Sequence, residues 1–138
     1  MNPTFWLRTG AIWGLLAVAI GAFGAHGLKE RFRSLGEQFG GMVNERPEGI
    51  FQTATQYQMY CALAIVAVGL LALSGRGGAA LELAGWSFLV GSFVFSGSLY
   101  VLAATGLKWL GMITPIGGVI MIAGWVALAV AAGMKSSQ

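Results

Sequence analysis

Residues 9–28, TGAIWGLLAVAIGAFGAHGL, decide the fold, because they form 20 consecutive positions without a formal charge. A helix rises 1.5 Å per residue, so about 20 predominantly apolar residues cross the hydrocarbon core of a bilayer. Three more uncharged intervals follow, residues 49–75, 83–107 and 109–134, and the four intervals hold 98 of the 138 residues. This charge pattern predicts an integral membrane protein with four spanning helices.

The composition excludes several soluble classes of protein. Apolar residues make up 57% of the chain and charged residues only 9%, whereas a soluble domain carries roughly 25% charged residues. Thirteen charges cannot cover a water-facing surface, which argues against a soluble enzyme or a disordered tail. The net charge of +3 comes without a basic run, so a nucleic-acid partner is not expected. A very apolar soluble helical core is the alternative to a membrane protein.

The spacing of the spans predicts one all-α membrane domain over residues 1–138. Short connections at 75–80 and 105–110 make neighbouring helices antiparallel, and helices satisfy the backbone groups that lipid cannot. The predicted fold is an up-down-up-down four-helix bundle. We call the side that holds both termini side A, and the side that holds the long loop side B. The expected spans are residues 5–25, 50–74, 81–104 and 111–133, with the long loop at 27–49.

Small residues form a stripe on the first span. Their spacing of 4, 3, 4 and 3 residues keeps them on one helical face, and close approach through small residues is a main source of helix association in lipid. We therefore expect this face to pack against other helices. A cleaved signal peptide is the alternative, because Arg8 precedes an apolar stretch. The stripe consists of Gly10, Gly14, Ala17, Gly21 and Gly24, and a similar repeat on the last span consists of Gly117, Gly124 and Ala131.

The long loop contains a short amphipathic pattern. Leu28, Phe32, Leu35 and Phe39 follow the spacing of one helical face, and charged residues occupy the other faces. This predicts a helix over 28–39. Two placements are open: in the membrane interface, or packed on the bundle and exposed to water.

Polar side chains of all four spans are expected to meet at side B, because each span carries them at the end that reaches that side. One interpretation is a structural cluster whose members bond to each other and to water, with the tyrosines as an aromatic belt. The other is a small polar pocket, since polar residues inside a membrane suggest function. The candidate cluster comprises His26, Gln52, Gln56, Tyr57, Ser96, Ser98, Tyr100 and Thr114.

The chain offers few reactive groups. His26 could relay protons, because histidine changes charge near physiological pH, or it could be a hydrogen-bonded structural group at a helix end. Cys61 is the only cysteine, and no Cys, Asp or second His lies near His26 in the sequence. We therefore predict no catalytic residues, no cofactor, no metal site and no enzymatic activity, since acid–base catalysis usually needs paired titratable groups.

Four blocks of sequence together resemble the YgdD-like family of small membrane proteins, which has members in bacteria and eukaryotes. The resemblance covers nearly the whole chain. The blocks are GAFGAHGL at 21–28, FQTATQYQMY at 51–60, FSGSLY at 95–100, and TPIGG at 114–118 followed by GW at 124–125.

The resemblance implies a four-helix membrane protein and places the family's motif residues in the expected polar cluster, but it implies no activity. It also implies that side A, with both termini, faces the cytoplasm, in what we expect to be the inner membrane of a bacterium. Two features depart from the family pattern. Cys61 stands where the family usually has histidine, and residues 40–49 look like an insertion.

Three hypotheses for the function follow. The glycine stripes favour a structural or accessory protein that packs with lipids, with a second copy of itself or with another membrane protein. A small transporter or channel subunit is the first alternative, although Glu82, the acidic residue at a span edge, lies near side A. A binder of a lipid or small amphiphile at side B is the second.

Overall fold

The computed structural model describes residues 1–39 and 46–134, with side chains omitted for 37–39. Five α-helices are described, and a short 3₁₀ turn at Lys108–Met112 precedes the last of them. The helices are α1 (Pro3–Gly27), α2 (Lys29–Phe39), α3 (Pro47–Leu73), α4 (Ala79–Thr105) and α5 (Thr114–Gly133).

The helices begin where the sequence supplies start signals. The side chain of Asn2 accepts a hydrogen bond from the backbone N–H of Phe5 at 3.3 Å and so caps α1. Pro3, Pro47 and Pro115 each stand in the first turn of a helix, where a missing N–H costs nothing. The first three spanning helices, α1, α3 and α4, therefore begin two or three residues earlier than expected, whereas α5 begins three residues later, after the 3₁₀ turn. At the other end of α4, Gly106 adopts a left-handed backbone with φ 74° and stops the helix.

Within the described residues, four helical segments are long and apolar enough to cross a membrane: Pro3–Gly27, Pro47–Leu73, Ala79–Thr105 and Lys108–Gly133. The described part contains no strand. These two findings confirm the predicted all-α fold with four spanning helices.

Each long helix packs along the next one in the chain, in the order α1, α3, α4, α5. Neighbours are antiparallel, since Gly10 lies against Val66 while Gly24 lies against Phe51. The structure thus places both ends of the described chain on one side of the bundle. Trp6 also reaches Gly85 on α4, so α1 and α4 meet as well.

The small-residue stripe of α1 faces α3, as predicted. A methyl group at Gly10 would lie 2.9 Å from the carbonyl oxygen of Ala62, closer than such atoms normally approach. Ala17 is fully buried, and methyl groups at Gly21 or Gly24 would clash with Thr55 or Phe51. Gly14 is the one looser position, because a methyl group there would lie 3.6 Å from Ala62 Cβ, an ordinary contact.

The repeat on α5 faces α4, which confirms the second predicted contact surface. A methyl group at Gly117 would lie 2.5 Å from the backbone nitrogen of Phe95, so the two helix backbones nearly touch. Gly124 lies against Phe88, and Ala131 is buried. Because lipid does not drive helices together hydrophobically, such close approach is what holds α4 and α5 together.

The apolar core occupies the side-A half, around Trp6, Ile65 and Phe88, all at most 2% exposed. The outward faces of the same helices carry large apolar side chains. Leu15, Phe93 and Val119, for example, are each 66% exposed. A surface of this kind suits lipid and not water.

The helix α2 packs across the side-B end of the bundle. Phe32 is buried at 4% exposure and contacts Phe51, with ring centroids 5.4 Å apart, and Leu35 is buried beside it. The predicted helix over 28–39 is therefore present, and its apolar face is covered by protein. The side chain of Phe39 lies outside the described residues.

Arginines bind carbonyl oxygens in the last turn of two helices, one at each side of the bundle. Arg31 donates from Nε to the carbonyl oxygen of Ala104 at 3.2 Å, at the end of α4. Arg76 donates from Nη1 to the carbonyl oxygen of Ala132, at the end of α5. The last carbonyls of a helix have no partner within the helix and carry partial negative charge, so a cation there is favourable.

Candidate functional site

A buried glutamine lies at the centre of a polar network that joins three helices. Gln58 on α3 is only 2% exposed. Its amide nitrogen donates to the carbonyl oxygen of Trp13 on α1 at 3.1 Å, and its amide oxygen accepts from the hydroxyl of Tyr100 on α4 at 2.7 Å. A single side chain thus connects α1, α3 and α4.

The position of Gln58 on its helix explains its burial. It is four residues after Ala54 and three before Cys61, and all three are buried. Residues three and four apart share a helical face. The network continues on this face to Thr55, whose hydroxyl oxygen lies 3.4 Å from that of Tyr100 and donates to the carbonyl oxygen of Phe51.

Serines of α4 extend the network in both directions. The indole nitrogen of Trp13 donates to the hydroxyl of Ser92 at 2.9 Å, and the hydroxyl of Ser96 donates to the carbonyl oxygen of Ala54 at 2.7 Å. Ser98 and Thr114 lie 2.9 Å apart between their hydroxyl oxygens, which connects α4 to α5. Every long helix therefore contributes to these contacts.

The sequence-predicted residues divide into two groups. Ser96, Ser98, Tyr100 and Thr114 take part in the interhelical hydrogen bonds described here. The structure leaves the other four predicted members outside this network, each with an exposed side chain, and these are His26, Gln52, Gln56 and Tyr57.

Helical geometry explains why His26 and Gln56 fall outside the network. His26 lies two residues after the buried Gly24, and Gln56 lies two residues before Gln58. Two steps of an α-helix turn about 200°, so these side chains project from the opposite face. The side chain of His26 is exposed and takes part in no hydrogen bond among the described residues. The expected contact of His26 with Gln56 and Tyr100 is not formed, and Gln58 contacts Tyr100 instead. Tyr57 instead stacks on Phe95, with ring centroids 4.7 Å apart.

Sequence reasoning missed four residues of the network: Trp13, Thr55, Gln58 and Ser92. A usable signal was present for Gln58, because the small residues Ala54, Cys61 and Ala62 mark the packed face of α3. The sequence pattern indicates the end of each span at which a polar side chain lies, but not the direction in which that side chain projects.

The buried polar side chains in the described part of the bundle are fully hydrogen-bonded. No buried side-chain nitrogen or oxygen among them lacks a hydrogen-bond partner. Buried polar groups that are fully partnered stabilise a packed structure. The part of the chain that the structure describes also contains no group of three His, Cys, Asp or Glu residues that could hold a metal ion.

A cavity of about 450 Å³ opens at side B between α1, α2 and α3. Its apolar wall includes Phe32, Phe51 and Ala25, and Lys29 and Glu48 also line it. Gln52, one of the predicted site residues, lines this cavity together with Thr55. The cavity therefore combines an apolar surface with two opposite charges, as expected of a site for an amphiphile.

A second cavity, of about 340 Å³, is mostly apolar and aromatic. It lies between α3 and α5, with Tyr57 and Tyr60 on one helix and Trp125 on the other. Cys61 lies at this point too, and its sulfur is 3.3 Å from the sulfur of Met121. This cysteine therefore packs as a small apolar residue and joins α3 to α5.

Comparison with known proteins places the chain among small membrane proteins. The model of the family described as "Protein of unknown function (DUF423)" matches residues 20–118. The chain is 44% identical over 125 residues to "UPF0382 membrane protein YwdK" of Bacillus subtilis, which covers 89% of this chain and 91% of that protein. It is 42% identical over 122 residues to "UPF0382 membrane protein SAB0533" of Staphylococcus aureus, and this match covers 88% of this chain and 89% of that protein. No solved structure matches the chain.

Proposed function

Since this chain belongs to the DUF423 family of membrane proteins, we propose that it is a non-enzymatic accessory protein of the membrane, which acts through contacts with lipids and neighbouring proteins. It has no cofactor in this proposal, and its partners are membrane lipids together with a second copy or another membrane protein. The resemblance of its four sequence blocks to the YgdD-like family is part of the same proposal.

The observation that carries this proposal is that every buried polar side-chain atom in the described part of the bundle already has a hydrogen-bond partner. A catalytic or transport site inside the bundle needs polar atoms that are free to meet a substrate. Here the amide of Gln58 is engaged at both ends, by Trp13 and by Tyr100, and the hydroxyl of Ser96 is engaged by Ala54. These groups stabilise the arrangement of the helices, which suits a protein that works by its outer surface.

Transport is the competing function. A small proton-coupled exporter relies on a carboxylate within its membrane-spanning core. Glu82 is in the first turn of α4, near side A, and its side chain is exposed. The polar network lies further along the same helix, from Ser92 to Tyr100. The carboxylate and the polar interior are thus separated along the helix, which favours the accessory role.

The proposal includes the membrane and the orientation. We propose the cytoplasmic membrane of a bacterium, because the relatives named above are membrane proteins of Bacillus and Staphylococcus. We also propose that side A, with both termini, faces the cytoplasm. This orientation is the one that the resemblance to the YgdD-like family implies. Basic residues flank the spans on both sides, Arg8 and Arg76 on side A and Lys29, Arg31, Arg33, Arg46 and Lys108 on side B, so their count does not choose between the two orientations.

Photo-crosslinking in cells tests the accessory role. A photoreactive residue replaces Leu15 or Val126, both exposed on outward faces, or Ser96, which is buried. We expect the outward positions to give a discrete protein adduct and Ser96 to give none. Adducts with lipid alone at both outward positions would contradict a protein partner.

Reconstitution in vesicles tests the transport alternative directly. We expect no protein-dependent proton flux when a potential is imposed across the vesicle membrane. The matched variant is Glu82→Gln, which removes the carboxylate from an exposed position. A flux that the wild type supports and Glu82→Gln abolishes would show a transporter and overturn the accessory role.

A further inference from the structure

The cavity at side B is lined by two charges of opposite sign that form no ion pair with each other or with another described residue. Lys29 is the first residue of α2, and Glu48 is in the first turn of α3. Both line the cavity, yet their charged atoms are not within the 4.0 Å of an ion pair. The nearby Arg33 and Glu30 differ in this respect, because they pair with each other at 3.6 Å within α2.

The two opposite charges favour a ligand that carries both a positive and a negative group. An anion is attracted by Lys29 and repelled by Glu48, and a simple cation is repelled by Lys29 and attracted by Glu48. Only a ligand that carries both charges, a few ångströms apart, gains from both residues. The two charges come from different helices and so stand on different walls of the cavity.

The remaining walls indicate an amphiphile. The rings of Phe32 and Phe51 stack at a centroid distance of 5.4 Å and form an apolar surface next to the charges. Gly21 and Gly24 of the spanning helix α1 continue this surface toward the interior of the bundle. The cavity lies under α2, where α1 ends and α3 begins at side B, which is the depth of the headgroup layer in a bilayer.

We propose that this cavity binds a phospholipid whose headgroup carries a phosphate and a primary ammonium group, with Lys29 on the phosphate and Glu48 on the ammonium. A primary ammonium donates charge-assisted hydrogen bonds to a carboxylate, which a quaternary ammonium cannot do. The glycerol and the upper acyl chain of the lipid lie against Phe32 and Phe51. The volume of about 450 Å³ accommodates such a headgroup. This goes beyond the accessory role, which requires contact with lipid but no preference among headgroups.

The test uses the full chain in phosphatidylcholine nanodiscs that contain phosphatidylethanolamine or phosphatidylglycerol in increasing amount. Lipids that remain bound after mild detergent extraction are counted by native mass spectrometry. We expect the wild type to retain phosphatidylethanolamine over phosphatidylglycerol and phosphatidylcholine. Equal retention of the three lipids would overturn the proposal.

Two variants give opposite effects, which makes the test specific. Lys29→Gln should lower the retention of both phosphatidylethanolamine and phosphatidylglycerol by about threefold, the size of a solvent-accessible ion pair. Glu48→Gln should lower the retention of phosphatidylethanolamine but raise that of phosphatidylglycerol, because it removes a repulsion. Both side chains are exposed, so the fold does not depend on them. A Glu48→Gln variant that lowers both lipids equally, or neither, would contradict the assignment.

Further controls distinguish binding in this cavity from attraction to any positive charge on the protein, and binding of a lipid from binding of its free headgroup. Arg33→Gln removes a cation from the same helix outside the cavity and should change nothing. Ala25→Trp fills the cavity from an exposed position and should abolish the preference without changing the melting temperature. Displacement by soluble glycerophosphoethanolamine at concentrations that match the lipid would show a site for the free headgroup and would contradict binding of a lipid. A failure of this test leaves the crosslinking result for the accessory role untouched.

Discussion

The hydroxyl of Tyr100 donates a hydrogen bond of 2.7 Å to the amide oxygen of Gln58, which joins α4 to α3 in the interior of the bundle. The amide nitrogen of the same glutamine donates to the carbonyl oxygen of Trp13 and so includes α1. A polar contact of this kind, placed between apolar helices, fixes their rotation and depth relative to each other.

Trp13→Phe should destabilise the protein by about 1 kcal/mol, because the hydroxyl of Ser92 loses the indole N–H that donates to it at 2.9 Å. His26→Ala is the contrasting variant. His26 is exposed at the end of α1, and an exposed substitution changes stability by at most about 0.5 kcal/mol. Thermal unfolding in one detergent compares the two. A larger loss for His26→Ala than for Trp13→Phe would restore the cluster that the sequence pattern suggested.

Gly10→Ala and Gly14→Ala test the packing of α1 on α3 with the same substitution on the same helix. The added methyl group at Gly10 would lie 2.9 Å from the carbonyl oxygen of Ala62 and 2.9 Å from the backbone nitrogen of Val66, both on α3. We therefore expect Gly10→Ala to lower the free energy of unfolding by roughly 1–3 kcal/mol. At Gly14 the nearest atom is 3.6 Å away, and we expect no loss. The yield and melting temperature of each variant measure this. Equal effects at the two positions would mean that α1 and α3 do not meet as described.

Much of this fold could be predicted because its determinants are local in the sequence. Charge intervals give the number of spans, and the 4-3-4-3 spacing of Gly10 to Gly24 identifies the face that packs on α3. The members of the polar network were harder to predict, since a side chain's depth and its direction both matter. His26 lies at the expected end of α1, but its direction is opposite to that of Gly24.

The cavity at side B could not be predicted from the spans at all. It requires α2 to fold back over α1 and α3, which brings Lys29 and Glu48 to one opening although 19 positions separate them in the chain. The sequence pattern indicated that α2 is amphipathic. It left open whether the apolar face of α2 meets lipid or protein, and the burial of Phe32 shows that it meets protein.

Arg31→Gln and Arg76→Gln should each destabilise the protein by about 0.3–1 kcal/mol, because each arginine binds a carbonyl oxygen in the last turn of a helix. Arg33→Gln serves as the matched control. Its partner Glu30 is on the same helix, and both side chains are more than two thirds exposed, so little stability depends on the pair. Unfolding in lipid or detergent at low ionic strength measures the three variants. If Arg33→Gln lowered stability as much as the other two variants, the effect would come from the loss of any positive charge and not from binding at the helix ends.

Cysteine labelling tests the proposed orientation. In a Cys61→Ala background, Gly77→Cys places a thiol in the turn on side A, and Leu107→Cys places one on side B. Both positions are exposed. With side A in the cytoplasm, a membrane-impermeant maleimide should label Leu107→Cys in intact cells and Gly77→Cys only after the membrane is opened. The reverse pattern would place both termini outside the cytoplasm.

The most direct test of the closed interior is a double-mutant cycle between Gln58 and Tyr100, with unfolding measured in lipid nanodiscs. Gln58→Leu and Tyr100→Phe should each destabilise the protein by roughly 1–3 kcal/mol. Tyr100→Phe leaves the buried amide oxygen of Gln58 without its donor, and Gln58→Leu leaves the half-buried hydroxyl of Tyr100 without its acceptor. The double variant should lose less than the sum of the two, with a coupling of about 1 kcal/mol. Additive effects, with no coupling between the two positions, would contradict a structural hydrogen bond at the centre of the bundle.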